Sequence, residues 1–243
     1  MSARRFRGML CVYCSERPAY TGDHVFARGF FLERARANLP QVPTCEPCNL
    51  RKADLERYLT AVLPFGGVHA DAHASLVELV PRRLTNNLRL ARELDAGRRP
   101  IWVQDPAAVY IGMTIPVDPE RVVALFAMVG RALAWLHWQA YLAPEHDSGA
   151  LMLTSFGQQY FDRLFGMNAR ERVQRDLANG AVSYRGVQAV DTPQLTLWRV
   201  TFYGGMLFSG DPVAPEGTTR EIAAITGPRR LVAMLCQRAT GAA

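Results

Sequence analysis

The chain has 243 residues, 49% hydrophobic and 21% charged, which suits an ordinary globular fold and excludes a disordered or fibrous chain. The formal net charge is +6 and is unevenly placed: residues 1–60 hold ten Lys/Arg against six Asp/Glu, residues 61–100 six against four, and residues 101–243 twelve against twelve. An excess confined to the N-terminal part favours a polyanionic partner there, with a mildly basic solvated surface as the plain alternative. Of the 28 basic residues only Lys52 is a lysine.

No apolar core follows the basic residues 1–7, so no secretory signal is expected. The apolar stretch 122–136 is interrupted by Arg131 and is too short to span a bilayer. These features predict a cytoplasmic protein with no membrane partner.

In chain order, residues 9–13 and 19–20 read as two short strands around a turn that holds Cys11 and Cys14. Residues 23–26 read as a strand end entering a loop. Residues 29–37, rich in arginine, predict a short helix that Asn38-Leu39-Pro40 ends. Residues 46–63 carry Leu50, Leu55, Leu59 and Val62 at helical spacing, and Pro64-Phe65-Gly66-Gly67 stops them. A second helix is expected over 70–96, kinked at Pro81. Gly97-Arg98-Arg99-Pro100 reads as a boundary between residues 1–97 and 101–243. Helices are then expected over 119–142, 154–165 and 169–178, the last stopped by Asn179-Gly180. Strands follow at 181–189, 196–203 and 206–208, with Gly204-Gly205 as a turn. A further strand is expected over 220–226 and a closing helix over 228–238. The fold class is α+β, helix-rich and then β-containing after its N-terminal module.

Cys11-Val-Tyr-Cys14 and Cys45-Glu-Pro-Cys48 are the chemically specific feature. Two thiolates two residues apart reach one ion from a single turn, and two such pairs complete a tetrahedral structural zinc site. Disulfides are the alternative, disfavoured in a reducing compartment. The fifth cysteine, Cys236, lies in an apolar stretch and reads as a buried free thiol.

Between the pairs lies Asp23-His24, and Asn49 follows the last cysteine. A neutral imidazole is a suitable base near pH 7, and a carboxylate with an amide oxygen suits Mg²⁺ or Mn²⁺. Asp23 and His24 are adjacent, so only an irregular backbone brings both to one site.

Cys11-x2-Cys14, Asp23-His24-Val25, Asn38-Leu39 and Cys45-x2-Cys48-Asn49-x2-Lys52 together resemble the zinc-supported HNH endonucleases of the ββα-metal superfamily, over residues 9–60. The resemblance implies an N-terminal ββα-metal zinc module that hydrolyses phosphodiester bonds in DNA. It implies that His24 is the general base, that Asp23 and Asn49 ligate the catalytic divalent ion, and that Asn38 organises the loop by hydrogen bonds. Lys52 or Arg51, on the following helix, would meet phosphate. Arg4, Arg5, Arg7, Arg28, Arg34 and Arg36 are further arginines suited to phosphate contacts.

A non-catalytic zinc module that binds nucleic acid or protein is the alternative from another class. Residues 101–243 stay open as a region of unknown role: a substrate selector, a homodimer or protein-partner surface, or a small-molecule sensor with a pocket at Trp135, Trp138 or Trp198. His69, Asp71 and His73 read as an exposed helix start, His137 as core packing, and His146 as part of a solvated turn.

Overall fold

The computed structural model describes residues 3–104, 109–167, 171–206 and 220–239. The mixture is α+β. A short antiparallel hairpin pairs β1 (Thr21–His24) with β2 (Gln41–Thr44), and α1 (Glu46–Val62) follows it directly. Glu46 and Pro47 open α1, where a carboxylate suits the helix dipole and proline needs no N–H partner.

The region 9–20 is not a pair of strands. A single bridge joins Leu10 to Pro18, closed by Cys11 N–H to Arg17 O at 2.8 Å and Ala19 N–H to Met9 O at 2.7 Å. Pro18 cannot donate to a ladder, and Ser15 sits at a positive φ of 55°, so the tight turn uses up the length. The arginine-rich segment forms two 3-10 turns, Arg28–Phe30 and Glu33–Ala35, rather than one helix.

The expected long helix over 70–96 is three: α2 (Ala70–Glu78), α3 (Val80–Thr85) and α4 (Leu88–Gly97). Pro81 opens α3, and Asn87 caps α4 by accepting from Leu90 N–H at 3.1 Å. The segment read as a boundary continues into a hairpin of β3 (Arg99–Gln104) and β4 (Val109–Thr114).

Helix α5 (Pro119–Trp138) starts on Asp118, whose carboxylate accepts from Glu120 and Arg121 N–H. The remaining elements are β5 (His146–Met152), α6 (Ser155–Met167), β6 (Glu171–Leu177), β7 (Val182–Gln188), β8 (Thr196–Phe202), β9 (Ile222–Pro228) and α7 (Arg229–Ala239). Their five strands form one antiparallel sheet in the order β5-β9-β8-β7-β6.

Residues 171–177 therefore form a strand where a helix was expected. Asn179-Gly180 is a hairpin turn, with Ala178, Asn179 and Gly180 all at positive φ, and it returns β6 onto β7. The expected strand at 206–208 lies largely outside the described residues, with Met206 in an isolated bridge to Gly67.

Alternation along the strands divides the core. Trp198, Val200 and Phe202 face α5 and the N-terminal module, while Leu197 and Ile225 face α6 and α7 beside Phe161 and Leu235. Gly186 is required opposite Trp198, because a Cβ there would stand 2.2 Å from the indole ring. The larger cluster runs without interruption from Phe26 and Phe30 to Phe126 and Phe202, with Phe30 and Phe202 ring centroids 4.8 Å apart. Side chains from both sides of residues 97–101 share it. Among the described residues no helix is long and apolar enough to cross a membrane.

Candidate functional site

The two cysteine turns are stitched to one another through β2. Val12 N–H donates to Pro43 O at 3.0 Å and Tyr20 N–H to Thr44 O at 2.8 Å, so the first turn lies beside the strand that leads into the second. Cys45 caps α1 and Cys48 sits on its first turn. The four sulfurs lie within 4.8 Å of one another, and Cys14 and Cys45 Sγ are 3.9 Å apart. Sulfurs about 2.3 Å from a tetrahedral ion stand roughly 3.8 Å apart, so the four cysteines are close enough to bind a metal such as zinc. Burial and the neighbouring sulfurs push the Cys48 thiol well up, a bias that a bound cation reverses. Among the described residues this is the one group of three or more His, Cys, Asp or Glu ligand atoms gathered so closely. A third element braces it: Arg131 on α5 donates to Tyr13 O at 2.9 Å and to Ser148 Oγ at 2.8 Å.

Asp23 and His24 close β1, and their partners come from three elements. Asp23 Oδ2 accepts from the Tyr13 hydroxyl at 2.6 Å and stands 3.0 Å from Lys52 Nζ. Lys52 also donates to His24 O at 2.7 Å and pairs with Glu56 one turn further along α1. The Lys52 side chain is fully buried, and those of Asp23 and Glu56 are 11% and 15% exposed. One ammonium thus lies between two nearly buried carboxylates. Burial pushes the Glu56 carboxyl up to about 7, against the pull of Lys52 and with the help of Asp23. Burial, Asp23 and Glu56 push the Tyr13 hydroxyl far up, which keeps it a donor.

The His24 ring pairs across the hairpin with Gln41, its register partner, at 3.1 Å between Nε2 and the amide nitrogen. Burial lowers the His24 pKa, and Arg28 and Lys52 add to this while Asp23 opposes it. The imidazole is therefore neutral near pH 7.

Lys52 does not meet phosphate: an ammonium with no exposed surface and three protein acceptors is a buried brace. Asn49 lies three residues before Lys52 and so on the same face of α1, toward β1. The residue is half-buried, and its side-chain amide has no hydrogen bond among the described residues. Asn38 is exposed at a φ of 55°, and its side chain makes no hydrogen bond either. It therefore shapes the loop through its left-handed backbone, which asparagine tolerates, and not by side-chain bonding. Arg28 is exposed and follows His24 by four residues. Arg51 is exposed on α1, off the buried face that carries Lys52, in a cleft of about 550 Å³ that Arg57, Arg89 and Arg121 also line. Asp23, His24 and Lys52 are thus brought together, Asn49 shares their face, and Arg51 and Asn38 lie apart.

Sequence reasoning did not find Tyr13, Gln41, Glu56 or Arg131. Glu56 had a signal, since a carboxylate four residues after the only lysine reaches it on a helix. Tyr13 and Gln41 depend on the fold of the turn and the register of the hairpin. Of the other histidines, His73 is exposed on α2 and the remaining three hold structural places. His69 caps α2, its Nδ1 accepting from Asp71 N–H at 3.1 Å. His137 packs between Trp138, Tyr184 and Trp198. His146 opens β5 rather than lying in a solvated turn, because that segment pairs with β9. Trp138 and Trp198 pack against one another with ring centroids 4.8 Å apart. Cys236 is a free thiol whose pKa burial raises.

Comparison with protein-family models, with curated proteins and with solved structures finds no match for the chain.

Proposed function

We propose that the protein is a metal-dependent HNH-type endonuclease that hydrolyses phosphodiester bonds in DNA, with His24 as general base. The observation that supports this reading most is the meeting of β1 and α1. Asp23 and the His24 carbonyl are tied to Lys52, one helical turn beyond Asn49, in the module whose zinc-type cluster adjoins β2 and opens α1.

His24 is neutral near pH 7 and so can take a proton from water. Its Nε2 is engaged by Gln41. With the Gln41 amide turned over, its oxygen accepts Nε2–H and the Nδ1 lone pair is free for the water. Asp23 Oδ1 and the Asn49 amide oxygen carry no hydrogen bond among the described residues, so both fit as hard oxygen ligands for Mg²⁺ or Mn²⁺. Two protein ligands suit an ion that keeps waters and takes the rest of its shell from phosphate. When bound, such an ion neutralises charge on the phosphate and leaving oxygens. Exposed Arg28, and Arg51 in its own cleft, supply phosphate contacts that carry no base readout. The four thiolates take zinc as structure.

Incubation of the protein with plasmid DNA and Mg²⁺ or Mn²⁺ tests the reading. Cutting is expected, and His24→Ala should lower it by roughly 10²–10⁴-fold while zinc content and fold persist. Undiminished cutting by His24→Ala would sink the assignment. Binding of DNA without any cutting would favour a non-catalytic zinc module.

A further inference from the structure

The geometry points to Lys52 and Tyr13 as positioning residues that hold one oxygen of Asp23 so that the other faces the divalent ion. This deepens the nuclease reading and rests on it.

Both partners bind the same atom. Tyr13 donates to Asp23 Oδ2 at 2.6 Å and Lys52 stands 3.0 Å from it, while Oδ1 has no partner among the described residues. A carboxylate held at one oxygen by two donors from different elements has its rotation fixed, and its second oxygen is directed away from them. A ligand held this way by its outer partners binds metal without first losing rotamer freedom.

The residue type at position 52 supports the same role. An ammonium has three N–H donors on a compact tetrahedral centre, and Lys52 has three acceptors around it: His24 O, Asp23 Oδ2 and Glu56. A guanidinium is planar, larger and carries five donors, so it neither fits the buried site nor satisfies all its N–H groups. The other 27 basic residues of the chain are arginine, and the one lysine occupies the one place among the described residues where such a buried cation bridges β1 and α1. The same ammonium holds the His24 carbonyl, so it fixes the backbone that carries both Asp23 and the base. Glu56 completes the shell.

The test uses the full chain as Lys52→Arg, Tyr13→Phe and Asp23→Asn variants. Two quantities are read: the Asp23 carboxylate orientation in crystal structures, and Mn²⁺ affinity by titration with zinc content checked. Tyr13→Phe keeps the ring and is the milder change, so it decides the matter if Lys52→Arg does not fold. A rotated Asp23 carboxylate is expected in both, with Mn²⁺ affinity lowered by roughly 10-fold or more at unchanged zinc content. An Asp23 carboxylate that keeps its orientation in folded Tyr13→Phe overturns the proposal. If the carboxylate rotates but Asp23→Asn binds Mn²⁺ as tightly as the unaltered protein, the positioning stands and the assignment of Asp23 as a ligand fails.

Discussion

The thiolate cluster and the oxygen cluster lie within one module and are built in opposite ways. The thiolate site takes two ligands from each of two local turns, so each half is complete within four residues. The oxygen cluster takes Tyr13 from a turn, Asp23 and His24 from β1, Gln41 from β2, and Asn49, Lys52 and Glu56 from α1. The first can form wherever the two turns meet. The second exists only if the hairpin register and the helix docking are both right. The thiolate cluster should therefore hold the architecture, and the oxygen cluster should report on it.

The largest effect follows from removing the thiolate site. Cys45→Ser, or chelation of the metal, should cost about 5 kcal/mol or more and abolish cooperative unfolding of the N-terminal module. Thermal melts with metal analysis check this, and a variant that loses the metal yet melts normally would break the division of roles. Next comes the oxygen cluster. Lys52→Met strands Asp23 and Glu56 and should cost about 3–5 kcal/mol while zinc stays bound. Adding Glu56→Gln should recover part of that loss, because one of the two stranded carboxylates becomes neutral. A double-mutant cycle in denaturant measures the recovery.

Arg131 links the thiolate site to the sheet region through Tyr13 and Ser148. Arg131→Met should cost about 1–3 kcal/mol, and the loss should appear in amide exchange around residues 11–15 before it appears in the oxygen cluster. Titration gives a contrast from His137, where α5 packs on β7 and β8. Burial lowers His137 to about 4, with Arg175 adding to it, from an ordinary value near 6.5. The folded state therefore disfavours the imidazolium, so this contribution is present above pH 6.5 and is lost as pH falls from 6.5 towards 4. Discounted for partial exposure, it amounts to about 1–2 kcal/mol. Stability measured across that window should flatten in His137→Phe. The smallest effect concerns Asn38. Its left-handed backbone predicts that Asn38→Gly changes stability by less than about 0.5 kcal/mol, measured by chemical denaturation. A larger loss would restore a bonding role for its side chain.

The parts legible in the sequence share a cause: they are short-range. The cysteine turns, the α1 segment with Pro64 beyond its end, and the start of α5 at Pro119 all follow from spacing within a few residues. The errors were also local. Asn179-Gly180 is compatible with a helix stop or a hairpin turn, and only the pairing of β6 with β7 decides between them. Strand β5 escaped notice because its partner, β9, is some 75 residues away in sequence. The hairpin of β3 and β4 was hidden behind Gly97-Arg98-Arg99-Pro100, which reads as a boundary although Arg99 and Pro100 already pair in β3.

The same division applies to the chemistry. From the sequence alone came the metal-type thiolate set, the candidate base at His24, and the singular lysine, because residue type and spacing carry that information directly. Tertiary structure decided what the lysine does. Docking of α1 on β1 buries it between Asp23, Glu56 and the His24 carbonyl, so a residue expected at phosphate becomes an internal brace. Burial is a property of the neighbours that the fold supplies, and a single side chain's sequence position does not contain it.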